Sequence, residues 1–193
     1  MKKTNCWYNL NIDITDAFKS DWVWPEPKNK SLLILSESNT QNIFNTRFMD
    51  YMSSIDVPVN FALYFNSLSK YKTDFAHIDM TCNNTTQPWP WAINWVLGGE
   101  NSELVWYETP IGTNRHEDVA NTPYMPFPIE GLVKIDNCNV LAKAILIRTD
   151  VPHAAWVTDD QRWCMSIRSS LKYNTWDSIV THLRDLNLLI ERN

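Results

Sequence analysis

The sequence predicts a mainly β protein in which many short strands form a sandwich or barrel. From Val57 onward, short runs rich in β-branched and aromatic residues follow one another along the chain. Turn-forming groups separate these runs, such as Gly98-Gly99-Glu100-Asn101 and Thr158-Asp159-Asp160. Because no alternation of strands with crossover helices is visible, neighbouring strands are expected to run antiparallel.

The strands predicted in this region are Val59–Phe65, Phe75–Met80, Trp91–Leu97, Leu104–Glu108, Leu132–Ile135, Ala144–Thr149 and Arg162–Ser169. Two further strands are expected before them. In one, Leu10, Ile12 and Ile14 alternate with polar residues, and the other is the apolar run from Ser31 to Leu35.

Two segments have the spacing of amphipathic helices. One helix is expected after Asn39, where apolar residues from Ile43 to Met52 recur at helical intervals. The other is the tail from Trp176 to Ile190, in which apolar residues recur every three or four positions. Asn174 or Thr175 is expected to cap the tail helix, which would pack on the outside of the sheet.

The composition limits the classes of function. A chain of 193 residues fits one domain, residues 1–193, and a net charge of −5 makes nucleic acid an unlikely partner. There is no long apolar run, so we expect no membrane segment and a cytoplasmic protein. The four cysteines form no CxxC pair and are expected to be reduced. The sequence does not indicate an oligomeric state.

A candidate metal site lies in the predicted strand Phe75–Met80, where His77 and Asp79 are two residues apart. Alternate side chains of a strand share a face, so these two project toward a common point. An imidazole and a carboxylate, completed by a second imidazole, form the triad that non-haem Fe(II) prefers. The pair alone is a weak signal, because a solvated histidine beside a turn aspartate also produces it. His153, at the end of a later apolar run, supplies the missing third ligand.

This order of residues resembles the 2-oxoglutarate/Fe(II)-dependent dioxygenase superfamily, over roughly residues 57–170. Arg162 stands nine residues after His153, the separation at which prolyl-hydroxylase-like members place the residue that binds the distal carboxylate of 2-oxoglutarate. The strand from Arg162 to Arg168 also resembles the paired-arginine strand of nucleic-acid repair demethylases in this superfamily. The resemblance therefore implies Arg162 as the anchor of 2-oxoglutarate, with Arg168 as its helper or as the alternative anchor. A salt bridge is the other interpretation of Arg168. Cys164 departs from the pattern, which often has a small hydroxyl residue at this position.

The resemblance implies a double-stranded β-helix, a cupin-like jelly-roll, with flanking helices. It also implies Fe(II), 2-oxoglutarate and O2 as the reactants at the site. The expected reaction is hydroxylation of a C–H bond in a peptide side chain, an amino acid or a small metabolite, with release of succinate and CO2. A nucleobase substrate fits the triad as well and is disfavoured only by the acidic charge.

Four more residues are candidates for the site. Asn94 is expected to face the cosubstrate from the strand Trp91–Leu97, and Tyr64 matches a tyrosine that contacts 2-oxoglutarate in several members. An outward-facing Asn94 and a core Tyr64 are the competing interpretations. Trp156 is the candidate substrate wall. His116 lies in the proline-rich segment 110–128, which is interpreted either as a lid or substrate-facing wall, or as a surface excursion.

Two other classes of protein stay open at this point. A non-catalytic jelly-roll module that binds a peptide or carbohydrate would not require Arg162. A metal-dependent cupin that uses no 2-oxo acid would place similar ligands on a similar sheet, although cupins usually use more histidines than this chain can align.

Overall fold

The computed structural model describes residues 5–23, 31–35, 37–67, 75–80, 87–109, 117–119, 122–139, 144–157, 162–169 and 172–192. Of these residues, 46% lie in strands and 18% in helices, which confirms the prediction of a mainly β protein. The strands form two sheets, and every pair of neighbouring strands is antiparallel.

In chain order, the elements are β1 (Trp7–Leu10), β2 (Ser31–Leu35), α1 (Glu37–Ile43), α2 (Thr46–Ser54), β3 (Phe61–Ser67), β4 (Phe75–Asp79), β5 (Trp91–Gly98), β6 (Glu103–Glu108), β7 (Glu117–Val119), β8 (Thr122–Pro128), β9 (Val133–Asn139), β10 (Ile145–Arg148), β11 (His153–Trp156), β12 (Arg162–Arg168), α3 (Trp176–Asp185) and β13 (Leu189–Ile190).

The large sheet has the strand order β13-β1-β10-β5-β12-β3-β2, and the small sheet has the order β7-β8-β4-β11-β6-β9. From β3 to β6, and again from β9 to β12, successive strands alternate between the large sheet and the small sheet. The chain therefore crosses repeatedly between the sheets, so residues far apart in sequence meet in the space between them.

Two apolar clusters cover opposite faces of the large sheet. The inter-sheet cluster joins side chains of both sheets, among them Val96, Cys164 and Trp106. The helix-side cluster packs alternate residues of the same strands, such as Trp95 and Met165, against α2 and α3. Both faces are buried, as expected for a central sheet between a second sheet and a helical layer. We call the face of each sheet that is directed toward the other sheet its inner face.

The N-terminal region differs from the prediction. The first strand is β1, Trp7–Leu10, and it ends where the predicted strand was expected to begin. Ile12 and Ile14 still pack against the helix-side cluster, so their alternation reflects burial in an irregular segment. The single predicted helix is two helices, because Asn45 caps α2 with its side chain accepting a hydrogen bond from the Arg47 backbone N–H.

The C-terminal tail agrees with the prediction as far as Asp185. Thr175 is the cap of α3 and forms a capping box with Ser178. Beyond the helix, Leu189 and Ile190 form β13 and pair with β1, where the sequence suggested a continuing helix. Within the described ranges, even the longest helix, the ten-residue α3, falls short of the length needed to span a membrane.

A partly buried ion pair ties the C-terminal segment to both sheets. The two Arg192 Nη atoms donate to the Asp136 carboxylate at 2.7 and 2.9 Å, and the Cys6 backbone N–H donates to the same carboxylate at 2.8 Å. Burial alone would raise the pKa of Asp136, but Arg192 and the backbone N–H groups of Cys6 and Asn137 hold it below its usual value. The ionised pair therefore stabilises the fold above the unfolded-state pKa of about 3.9, and this contribution is lost as the pH falls through the lower folded-state value.

Replacing Asp136 with asparagine is expected to lower the free energy of unfolding by about 1–3 kcal/mol at neutral pH, because a charged hydrogen-bond partner is lost. The difference from the wild type should shrink below about pH 4, where the wild-type carboxyl also becomes protonated. Urea denaturation at both pH values measures the effect. Asp50→Asn, at an exposed position of α2, should change stability by less than about 0.5 kcal/mol. An equal loss for Asp136→Asn at both pH values would contradict the electrostatic origin.

Candidate metal centre

The three residues predicted as metal ligands come together on the inner face of the small sheet. His77 and Asp79 lie on β4, and His153 lies on β11 directly opposite His77 in the antiparallel pairing. The two imidazole ring centroids are 4.6 Å apart, and His77 Nε2 is 3.4 Å from Asp79 Oδ1. One ligand atom from each of the three residues lies within 4.8 Å of the other two. The local spacing on β4 and the pairing of β4 with β11 therefore produce one convergent cluster.

The donor set fits a small divalent cation. Two ligands that each sit about 2.1 Å from an ion at right angles are roughly 3 Å apart, close to the observed separation of His77 and Asp79. Two nitrogen donors and one oxygen donor form the chemical set that non-haem Fe(II) takes in a facial triad. Because one donor atom of each residue lies within 4.8 Å of the other two, the residues present fit such a metal.

His153 is oriented and kept neutral by its surroundings. Its Nδ1 lies 2.9 Å from the carbonyl oxygen of Val151, which leaves Nε2 as the donor toward the cluster. Burial, and next the proximity of His77, lower the pKa of His153 to about 4. An imidazole must be unprotonated to bind a metal, so His153 is in the required form near neutral pH.

Asp79 is held from both its backbone and its carboxylate. Its backbone N–H donates to the Thr149 carbonyl at 3.0 Å, and its own carbonyl accepts from the Trp89 N–H at 2.7 Å. Arg168 Nη2 donates to Oδ2 in a salt bridge whose arginine side chain is only 3% exposed. Burial would raise the pKa of Asp79, but Arg168 and the hydrogen bond with His77 outweigh it and keep the carboxyl ionised. With Oδ2 engaged, Oδ1 is the oxygen directed at the cluster.

The structure thus places Arg168 against a metal-ligand candidate, where the resemblance suggested a contact with 2-oxoglutarate. Arg168 forms a salt bridge with Asp79, as the other interpretation of this residue expected. Arg168 acts on the site through Asp79, whose carboxylate it orients.

Arg162 and Asn94 lie on the inner face of the large sheet, facing the small sheet. On β12, Arg162 alternates with residues of the helix-side cluster, and Asn94 does the same on β5. Ser166 is directly opposite Asn94 on the neighbouring strand. Arg162 Nε, Asn94 Oδ1 and Ser166 Oγ are buried and have no hydrogen-bond partner among the described residues. Buried polar atoms of this kind are usually satisfied, so this face has unused hydrogen-bonding capacity for a polar ligand.

Gly99 allows the turn after β5 to approach Arg162. Its φ of +61° favours glycine, and a Cβ there would lie 2.5 Å from Ser102 Oγ and 2.9 Å from Arg162 Cβ. A side chain at this position would displace Arg162, so the turn contributes to the placement of the guanidinium.

Tyr64 and Trp156 do not join this arrangement. Tyr64 lies in the helix-side cluster, on the face of the large sheet opposite to Arg162. Trp156 lies on the outer face of the small sheet, beside Ala154 and Val105, and its Nε1 donates to the Tyr107 hydroxyl at 2.9 Å. Tyr64 is therefore a core residue, which was the competing interpretation of its role. Trp156 is directed away from the triad and does not form a substrate wall beside it. His116 lies outside the described residues.

One element of the site was missed by the sequence analysis. The described part of the proline-rich segment includes β8, which pairs with every residue of β4 and places Tyr124 opposite Asp79. Prolines concealed this strand, because Pro126 and Pro128 cannot donate to a ladder. They are tolerated where β7, which pairs only with residues 122–124, does not reach. The one signal in the sequence was the spacing of Tyr124 and Phe127 among the prolines, which is too irregular to predict a strand.

Comparison of the sequence with models of protein families and with curated protein sequences finds no match in either case.

Proposed function

We propose that this protein is an Fe(II)- and 2-oxoglutarate-dependent oxygenase that hydroxylates a C–H bond of an amino acid, a peptide side chain or a small metabolite. The observation that carries the proposal is the convergence of His77, Asp79 and His153 within 4.8 Å on one face of the small sheet. Two imidazoles and one carboxylate leave coordination positions open for a cosubstrate and for dioxygen. Succinate and CO2 would be the other products.

The strand order supports a double-stranded β-helix as the fold that carries this site. Four neighbouring strands of the large sheet, β10-β5-β12-β3, face four neighbouring strands of the small sheet, β9-β6-β11-β4. The chain alternates between the sheets from β3 to β6 and again from β9 to β12, and from β6 to β9 it stays in the small sheet, where β7 and β8 form an excursion. Two antiparallel sheets linked in this way are the arrangement expected of a jelly-roll, whose open end is a frequent place for a ligand site.

When bound, iron(II) would supply the redox chemistry by which dioxygen oxidises 2-oxoglutarate and the substrate. His77, Asp79 and His153 would hold it. Arg168 fixes one carboxylate oxygen of Asp79, which leaves the other oxygen for the metal. Trp106, which is fully buried and lies opposite His153, would limit the access of water to the bound metal.

The guanidinium of Arg162 is suited to the distal carboxylate of 2-oxoglutarate. It lies on the inner face, is 5% exposed, and has a buried Nε with no acceptor among the described residues. A planar guanidinium pairs well with a carboxylate, and a buried cation gains most from such a partner. Asn94 and Ser166, on the same face, can add neutral hydrogen bonds to that ligand.

Anaerobic titration of the protein with Fe(II) and 2-oxoglutarate tests the proposal directly. We expect a weak visible charge-transfer band when both are present, followed by succinate formation once oxygen is admitted with a substrate panel. Succinate added in place of 2-oxoglutarate is the matched control, because it lacks the oxo group needed for chelation and should give no band. Absence of both the band and oxygen-dependent succinate formation would overturn the proposal.

Replacing Arg162 with alanine is expected to weaken 2-oxoglutarate binding about ten- to hundredfold, the effect of losing one charged hydrogen-bond partner. Binding of Fe(II) alone should be unchanged, because Arg162 is not a ligand. The measurement is the 2-oxoglutarate concentration that gives half of the charge-transfer band. Arg148→Ala, which removes a partly exposed arginine paired with Asp150, is the control and should leave this concentration unchanged. Equal affinities in Arg162→Ala and the wild type would exclude Arg162 as the anchor.

A further inference from the structure

An aromatic surface borders the candidate metal centre on the side of β8. Tyr124 lies directly opposite Asp79 in the antiparallel pairing of β8 with β4, so both side chains are on the same face of the small sheet. Phe75, two residues before His77, is on that face as well. The Phe75 and Tyr124 rings are parallel within 2°, and their centroids are 5.5 Å apart. We call these two residues the aromatic wall.

The aromatic wall is in direct contact with a metal-ligand candidate. The His77 ring meets the Phe75 ring at 6.2 Å and the Tyr124 ring at 5.8 Å between centroids, in both cases nearly edge to face. A group bound against the wall would therefore lie next to the metal position.

Both rings of the wall are partly exposed, whereas Trp106, on the other side of His153, is fully buried. Aromatic faces that stay in contact with water beside a site offer area that a ligand can cover with a gain in free energy. Trp106 has no such area to offer. Of these two sides, formed by described residues, the one that can receive a ligand's apolar group is therefore the side formed by the wall.

The chemistry of this surface favours a flat and uncharged group. Pro126, directly opposite His77, adds a rigid apolar ring to the same face. The acid of the triad, Asp79, is already in an ion pair with Arg168, so its charge is compensated. Aromatic rings gain free energy beyond simple area burial when they stack with another planar ring.

We propose that Phe75 and Tyr124 position the substrate by stacking against an uncharged planar ring, which defines the substrate class of this site. That the ring belongs to a substrate rests on the proposed oxygenase function. Ring binding itself requires neither metal nor cosubstrate, so the two proposals can fail separately.

The test uses two pairs of probes and the full chain without metal. In each pair one member has a planar ring and the other its saturated counterpart: N-acetylphenylalaninamide with N-acetylcyclohexylalaninamide, and thymidine with dihydrothymidine. Chemical-shift titration of isotope-labelled protein gives each dissociation constant. We expect the planar member of at least one pair to bind about three- to tenfold more tightly than its saturated counterpart. The pair that shows the preference indicates whether the ring is of the side-chain or the nucleobase type.

Tyr124→Leu should abolish this preference, and Tyr124→Phe should retain it, because phenylalanine keeps the ring. Trp156→Leu is the matched control, since it removes an aromatic residue from the outer face of the same sheet, and it should leave the preference intact. No binding of any probe at millimolar concentration, equal affinity for planar and saturated members of both pairs, or equal losses in Tyr124→Leu and Trp156→Leu would each overturn the inference. A planar-ring preference in a protein that gives neither the charge-transfer band nor oxygen-dependent succinate formation would refute the oxygenase function and leave the ring site standing.

Discussion

Replacement of His77 by alanine is expected to abolish Fe(II) binding and, with it, oxygen-dependent turnover of 2-oxoglutarate. Loss of an outer contact to a metal ligand typically costs 10–100-fold in metal affinity, so loss of a ligand itself should cost more than about a hundredfold. His77 is the most informative of the three ligands, because its side chain is 30% exposed and the charge of Asp79 stays paired with Arg168 after its removal. The expected variant is therefore folded and metal-free.

Two measurements check this expectation: the Fe(II) dissociation constant under anaerobic conditions, and succinate formation in the presence of 2-oxoglutarate. His182→Ala is the matched control. His182 lies on α3, where it stacks on Tyr173 and contacts the Ile55 carbonyl, and it has no role at the cluster. Succinate formation by His77→Ala at the wild-type rate would remove the basis of the metal assignment.

The second large effect is expected at Arg168, whose guanidinium is paired with Asp79 in the interior. Replacing Arg168 with methionine leaves the Asp79 carboxylate buried without its main compensating charge. Removal of one partner of a buried ion pair costs about 3–5 kcal/mol. Fe(II) affinity should also fall about 10–100-fold, because the carboxylate loses the contact that orients it.

Urea denaturation of the metal-free protein measures the change in stability, and anaerobic titration measures Fe(II) affinity. The double variant Asp79→Leu/Arg168→Met should recover most of the lost stability, since no unpaired charge remains, but it should not recover metal binding. Arg148→Met breaks a more exposed pair with Asp150 and should cost less than about 1 kcal/mol. Similar losses of unfolding free energy in Arg148→Met and Arg168→Met would show that burial does not make the Arg168–Asp79 pair more important for stability than an exposed pair.

The local part of the candidate site could be predicted because it depends on the alternation of side chains along a strand. His77 and Asp79 are two residues apart, so any extended conformation places them on one face. The same reasoning puts Arg162 and Arg168 together on one face of β12. It does not tell which neighbour each arginine meets, and the structure pairs Arg168 with Asp79.

For Tyr64, the alternation of side chains along the strand does not determine which face is directed toward the site. Both faces of the large sheet are buried, one against the small sheet and the other against the helices. A strand buried on both faces reads as an almost continuous apolar run, so its sequence does not indicate which residues face the site. On β3, Tyr64 faces the helices. The direction of Trp156 could not be predicted for the same reason, because the outer face of the small sheet also carries an apolar cluster.

The sequence by itself determined the mainly β composition, the placement of His77 and Asp79 on one face of one strand, and the start and apolar face of α3, because each depends on residues close together in the chain. Only the tertiary structure decided that His153 lies opposite His77, that Arg168 holds Asp79, and that Tyr124 lines the site. These contacts depend on strand pairing across long stretches of chain, and the free energy that selects one register comes from the packing of whole sheets. For that reason the ligands could be named from the sequence, whereas the residues that orient them and border them could not.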